Sequence, residues 1–216
     1  MKTEIAKVID LIESEVKRFR EPIVTQVSRK RDPYQVLVSC ILSLRTKDET
    51  TARASRKLFE KAKTPRDMLL LSAEEIEKLI YPVGFYRIKA KNILKISRIL
   101  INEHDSRVPD ELDELMKLPG VGRKTANIVV VFGFGKMGMP IDTHCHRIPN
   151  RLGWVKTKNP EQTEFALREL IPKTHWMKFN DVFVTFGQNT CKPIRPLCDK
   201  CPVTKYCDYY ENLLKT

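Results

Sequence analysis

Apolar positions along this chain recur every three to four residues and almost nowhere alternate strictly, which predicts helices and leaves little room for strands. The stretch RIKAKNILKISRILI, residues 87 to 101, carries one apolar face and reads as an amphipathic helix. The opening MKTEIAKVIDLIESEVKRF mixes acidic, basic and apolar residues at the same helical spacing. Start signals agree with this pattern. Asp32-Pro33 opens the run VLVSCILSL, Thr64-Pro65 opens RDMLLL, Ser72 with Glu75 forms a capping box before IEKLI, and Asn159-Pro160 with Gln162 opens TEFALRELI. The expected fold class is all-α, with a domain boundary sought in loops such as FGKMGMP, residues 134 to 140.

One turn stands out chemically. In MKLPGVGRKTANIVV, residues 116 to 130, Pro119, Gly120 and Gly122 predict a tight backbone-built loop, and an apolar helix follows at about Gly122. The amide N–H groups and positive dipole end of such a helix favour an anion such as a phosphate, with Arg123 and Lys124 beside it. An ordinary helix–turn–helix with two solvated cations fits the same residues. A fainter version, Tyr81 to Ala90, also leads through a proline and a glycine into an apolar helix, by internal duplication or by chance.

Composition narrows the partners. The 216 residues carry a net charge of +12, and a surface so biased attracts polyanions, nucleic acid before acidic membrane. The longest apolar run, IVVVFGFG, is too short to span a bilayer, and the opening segment has neither the signal-peptide nor the acid-poor transit pattern. A soluble, cytoplasmic protein is therefore expected. Four of the six cysteines, Cys191, Cys198, Cys201 and Cys207, crowd into CKPIRPLCDKCPVTKYC with spacing C-x6-C-x2-C-x5-C. Crowding of this kind points to a metal centre rather than to disulfides. Zinc sites commonly pair two short knuckles and only one C-x2-C is present, so the spacing favours a [4Fe–4S] cluster, whose ligated irons sit at separate corners, over zinc. Cys40, inside VLVSCIL, reads as core, Cys145 has no sign of nucleophilic use, and Trp154 and Trp176 read as packing residues.

Leu118-Pro119-Gly120-Val121-Gly122-Arg123-Lys124-Thr125-Ala126, then Ile141-Asp142-Thr143-His144, then the 6-2-5 cysteine spacing together resemble the endonuclease III family of DNA glycosylase/AP lyases, from about residue 30 to Cys207. The resemblance implies a six-helix barrel domain with a helix–hairpin–helix, residues 26 to 136, and a discontinuous iron–sulfur domain, residues 1 to 25 and 137 to 216, flanking a DNA-binding cleft. It implies that Lys124 attacks the sugar C1′ and forms a Schiff base, as an amine can and water cannot, with Asp142 stabilising the positive charge that develops on the sugar. Asp142 also suits a helix N-cap. Gly120, Gly122, Arg123 and Thr125 fall in the DNA-binding hairpin, and the four cysteines hold the cluster. Phe85 and Arg45 fall where relatives carry an intercalating apolar side chain and a gap-filling polar one, although many relatives have glutamine in place of Arg45. The expected partner is double-stranded DNA with damaged bases or abasic sites, met by a monomer. Two other readings remain at this point: a mismatch-specific thymine or uracil glycosylase of the same superfamily, and a non-catalytic iron–sulfur protein that binds DNA or senses redox state.

Overall fold

The computed structural model describes residues 2–19 and 32–215, and every regular element among them is helical. They divide into two compact units: residues 32–136 form one, and residues 2–19 with 137–215 form the other. The expected boundary between residues 25 and 26 lies outside the described residues.

The first unit runs α2 (Pro33–Ser43), α3 (Asp48–Lys61), α4 (Pro65–Met68), α5 (Ala73–Ile80), α6 (Tyr86–Glu103), α7 (Leu112–Met116) and α8 (Arg123–Ile128). The last of these widens into a π-type turn over Val129–Gly133. The starts follow the side chains that satisfy the first free amides. Asp32 Oδ1 accepts from the Tyr34 and Gln35 N–H groups, and capping boxes close at Thr64/Asp67 and Ser72/Glu75. α2 is buried from Val36 to Leu42, so the run that contains Cys40 is core, and burial pushes the Cys40 thiol up to about 12. α6 presents Ala90, Ile93, Ile96 and Leu100 to the same core.

Two local expectations change. RDMLLL makes only one helical turn, ending at Met68, and Leu70 stands 84% exposed as the chain turns toward the next cap at Ser72. The two proline turns also differ in backbone. The left-handed residue is Gly120 directly after Pro119, but Phe85 three positions after Pro82, so the pair does not repeat one conformation.

The second unit contains α1 (Lys2–Val16), α9 (Thr143–Arg151), α10 (Pro160–Leu170), α11 (Trp176–Asn189) and α12 (Asp208–Leu213). Ile5, Val8, Ile9 and Ile12 form the buried stripe of α1 and share a core with Phe179, Phe183 and Phe186 of α11. Phe179 and Phe183 stack with centroids 4.0 Å apart, and Trp154 packs on Phe183 at 5.9 Å. Trp176 is buried and donates from Nε1 to the Ile171 carbonyl at 3.0 Å. Both tryptophans are thus packing residues. Among the described residues, no helix is long and apolar enough to cross a membrane.

Candidate nucleic-acid interface

The hairpin before α8 is closed by Val121 N–H donating to the Leu118 carbonyl at 3.1 Å. Gly120 sits at φ +77°, a left-handed backbone that favours glycine, and a Cβ there would approach Asn92 Nδ2, the movable end of a side chain of α6, to 2.8 Å. Gly122 corrects the expectation. Its φ of −95° suits any residue, and a Cβ added there meets nothing within 4 Å. What glycine contributes at 122 is therefore an unobstructed backbone at the entrance to α8. The first helical bond runs from Ala126 N–H to the Gly122 carbonyl at 2.9 Å, which leaves the amides of residues 123 to 125 ahead of the helical ladder. Lys124 is exposed and Arg123 half-buried, whereas Thr125 is buried. The charge of Lys124 is felt at the Cys40 thiol on α2.

Arg45 and Phe85 lie in the same unit and are brought together. Both take left-handed backbone angles, φ +52° and +57°, a conformation that costs a non-glycine residue on the order of 1–2 kcal/mol. The Arg45 guanidinium stands over the Phe85 ring at 5.6 Å. Phe85 is 57% exposed and no core aromatic, and Leu44, Tyr81 and Ile88, close to it or to Arg45 in sequence, are exposed as well. Beneath the two loops lies a group that sequence reasoning missed. Lys89 is 5% exposed, and its ammonium donates to the Leu42 carbonyl at 2.9 Å, the Leu44 carbonyl at 2.5 Å and Thr46 Oγ1 at 3.2 Å. Burial draws its pKa down to about 8. On an amphipathic helix a lysine reads as solvated, and only the convergence of α6 with the end of α2 buries this one.

In the second unit, Asp142 is the N-cap of α9. Its Oδ1 accepts from the His144 and Cys145 N–H groups, each at 2.8 Å. α9 lies close to α11 because Gly187 has no side chain, and a Cβ there would overlap the His144 ring. His144 and His146 turn to different partners, the Arg147 guanidinium at 3.0 Å and Thr163 Oγ1 at 2.6 Å. Cys145 is fully buried beside Asn180.

The loop from Cys191 to Cys207 is fastened to α9 by two arginines. Arg147 donates to the Cys191 carbonyl at 2.7 Å. Arg151 donates to the carbonyls of Lys192 and Pro193 at 2.7 and 2.9 Å and to Cys191 Sγ at 3.4 Å. The thiols of Cys198, Cys201 and Cys207 are pushed up by burial first, Cys201 to about 11, and then by the charges of the other cysteines, Cys191 among them. The four sulfurs therefore sense one another. Among the described residues, no three His, Cys, Asp or Glu side chains converge on a single-ion position.

Comparison with known proteins agrees with this layout. Residues 38–173 match the family model of the HhH-GPD superfamily base excision DNA repair proteins, so the helical fold and its glycine hairpin define a helix–hairpin–helix repair protein. Endonuclease III of Thermotoga maritima is 51% identical over 182 residues, which cover 84% of this chain and 85% of that one. A solved non-covalent endonuclease III–DNA complex superposes with a TM-score of 0.89 at 34% identity, covering 100% of this chain and 99% of that one. A trapped covalent endonuclease III–DNA intermediate gives 0.86 at 33%, covering 99% of each. The chain belongs to the endonuclease III family.

Proposed function

We propose that this protein is a bifunctional DNA glycosylase/AP lyase that removes oxidised pyrimidines from duplex DNA as a monomer and nicks the strand through a Schiff base on Lys124. The supporting observation is an exposed lysine in the first turn of a helix that an unobstructed glycine hairpin introduces, in a chain similar to an enzyme captured covalently on DNA. The amides ahead of α8, together with Gly120, Gly122 and Arg123, form an anion-binding face for a DNA phosphate.

The Lys124 amine attacks C1′ as the bond to the damaged base breaks, the base leaving with the proton that the amine gives up, with Asp142 stabilising the cationic sugar. The C1′–O4′ bond then breaks, O4′ takes a proton and the ring opens, and the protonated Schiff base so formed acidifies C2′. Loss of that proton expels the 3′ phosphate, and hydrolysis frees the lysine. Phe85 fills the stack that the extruded nucleotide vacates. Arg45, whose guanidinium donors match guanine O6 and N7, contacts the orphaned base.

The fit of the cysteine loop to a metal centre rests on its donors. The thiols of Cys198, Cys201 and Cys207, raised by burial and by the charge of Cys191, need a cationic group to hold them as thiolates, and Arg151 already offers a hydrogen bond to Cys191 Sγ. Cys191, Cys198, Cys201 and Cys207 would hold a [4Fe–4S] cluster, which when bound fixes the shape of a loop carrying Lys192, Arg195, Lys200 and Lys205. Protein purified without oxygen should contain iron and acid-labile sulfide in equal amounts. Stoichiometric zinc without sulfide sinks the cluster assignment.

The test of the activity is a panel of duplexes with thymine glycol, dihydrouracil, a mismatched thymine or an abasic site, scored separately for base release and strand scission. Both oxidised pyrimidines should be released and nicked, and the abasic duplex nicked. Release of mismatched thymine alone would instead establish the mismatch glycosylase.

A further inference from the structure

The loops that carry Arg45 and Phe85 are joined at backbone level. Gly84 N–H donates to Thr46 Oγ1 at 3.2 Å, and a Cβ on Gly84 would stand 2.6 Å from the Arg45 carbonyl oxygen. Phe85 passes its own carbonyl to the Lys89 N–H at 3.1 Å, so Lys89 begins the ladder of α6 at the wedge residue itself. Its side chain then crosses beneath to the other loop. An ammonium has three N–H donors, and three oxygens of residues 42 to 46 meet them. Those oxygens lie on either side of Arg45. One buried cation thereby restrains the residues before and after Arg45 while its backbone restrains Phe85. Both side chains are exposed and both backbones are strained, so beyond the contact of the Arg45 guanidinium with the Phe85 ring neither conformation has packing of its own to hold it.

We propose that Lys89 is a positioning residue that holds Arg45 and Phe85 as a pre-formed pair for opening duplex DNA. The inference rests on the reading of these two residues as the wedge and the orphan-base contact. Lys89 touches neither DNA nor the reacting atoms. Its effect is to leave the pair no ordering to do when the helix is opened.

The alternative use of Lys89 is to cap the carbonyl end of α2, which would matter to stability alone. Lys89→Met removes the donors while keeping an unbranched side chain of similar length. The substrates are an abasic site in a duplex and the same site in a single strand, which has no partner strand to open. A positioning role predicts that Lys89→Met lowers kcat/KM about tenfold on the duplex and leaves the single strand unchanged. Equal loss on both substrates, or on neither, overturns the proposal.

Thr46→Val removes one acceptor and the link to Gly84, and should show the same selectivity to a smaller degree. It carries the test if Lys89→Met does not fold. Phe85→Ala separates the two readings: full duplex activity in that variant removes the wedge itself. Loss in Phe85→Ala with none in Lys89→Met removes only the role of Lys89.

Discussion

Lys124→Ala protein is expected to give no covalent adduct when mixed with an abasic duplex and borohydride, and to lose strand scission by at least about a thousandfold. Lys124 is exposed, and substitution of an exposed residue ordinarily moves stability by no more than about 0.5 kcal/mol. A melting curve of Lys124→Ala that matches the parent's separates this loss from unfolding. Binding should weaken only as one cation among the 39 lysines and arginines would predict, with a reduced salt slope if that amine meets a phosphate. Lys124→Arg sharpens the result, since it keeps the charge and removes the nucleophile. Near-wild-type binding without an adduct identifies the amine as the reacting group. A variant that still nicks at the wild-type rate would reduce Lys124 to a phosphate contact and leave the lyase without its chemistry.

How much could be read in advance depended on whether the cause was local. Asp32, Thr64, Ser72 and Asn159 sit next to the amides they cap, so four helix starts were legible as short strings of residues. The buried faces of α1 and α6 were legible because period and amphipathicity travel together. The cysteine loop was legible because its ligand candidates are neighbours in sequence. Lys89 was not, since its acceptors lie at the end of another helix and in the loop that follows it, more than forty residues away. Nor were the left-handed backbones of Arg45 and Phe85, which local preference would give to glycine. The π-type turn after Ile128 was hidden inside an apolar run that a regular α-helix would have suited equally. Gly122 was legible as a glycine but for the wrong reason, because open space in front of a backbone leaves no mark on neighbouring residues. Three of these, Lys89, Arg45 and Phe85, belong to the proposed duplex-opening face, where strain and burial conflict with local rules.

Asp142 can be tested in a way that separates its observed cap from its proposed role at the sugar. As an N-cap it accepts two amide hydrogen bonds on Oδ1, a task asparagine performs about as well as aspartate. As the group that faces a cationic sugar it must carry charge, which asparagine lacks. Asp142→Asn should therefore keep the thermal stability of the parent while turnover on an oxidised-pyrimidine duplex falls about a hundredfold or more. Asp142→Ala should lose the same turnover and, in addition, about 1 kcal/mol of stability, which for a domain of this size is a fall in Tm of roughly 2–4 °C. A residue that only capped α9 would give a different pair of results, with Asp142→Asn active and stable and Asp142→Ala impaired in proportion to its stability. Borohydride trapping adds a second discriminator. The lysine is still present in both variants, so adduct on a pre-formed abasic site should persist at a reduced rate while base release is nearly lost. If the carboxylate contributes nothing beyond its two hydrogen bonds, the asparagine variant will release bases as fast as the parent.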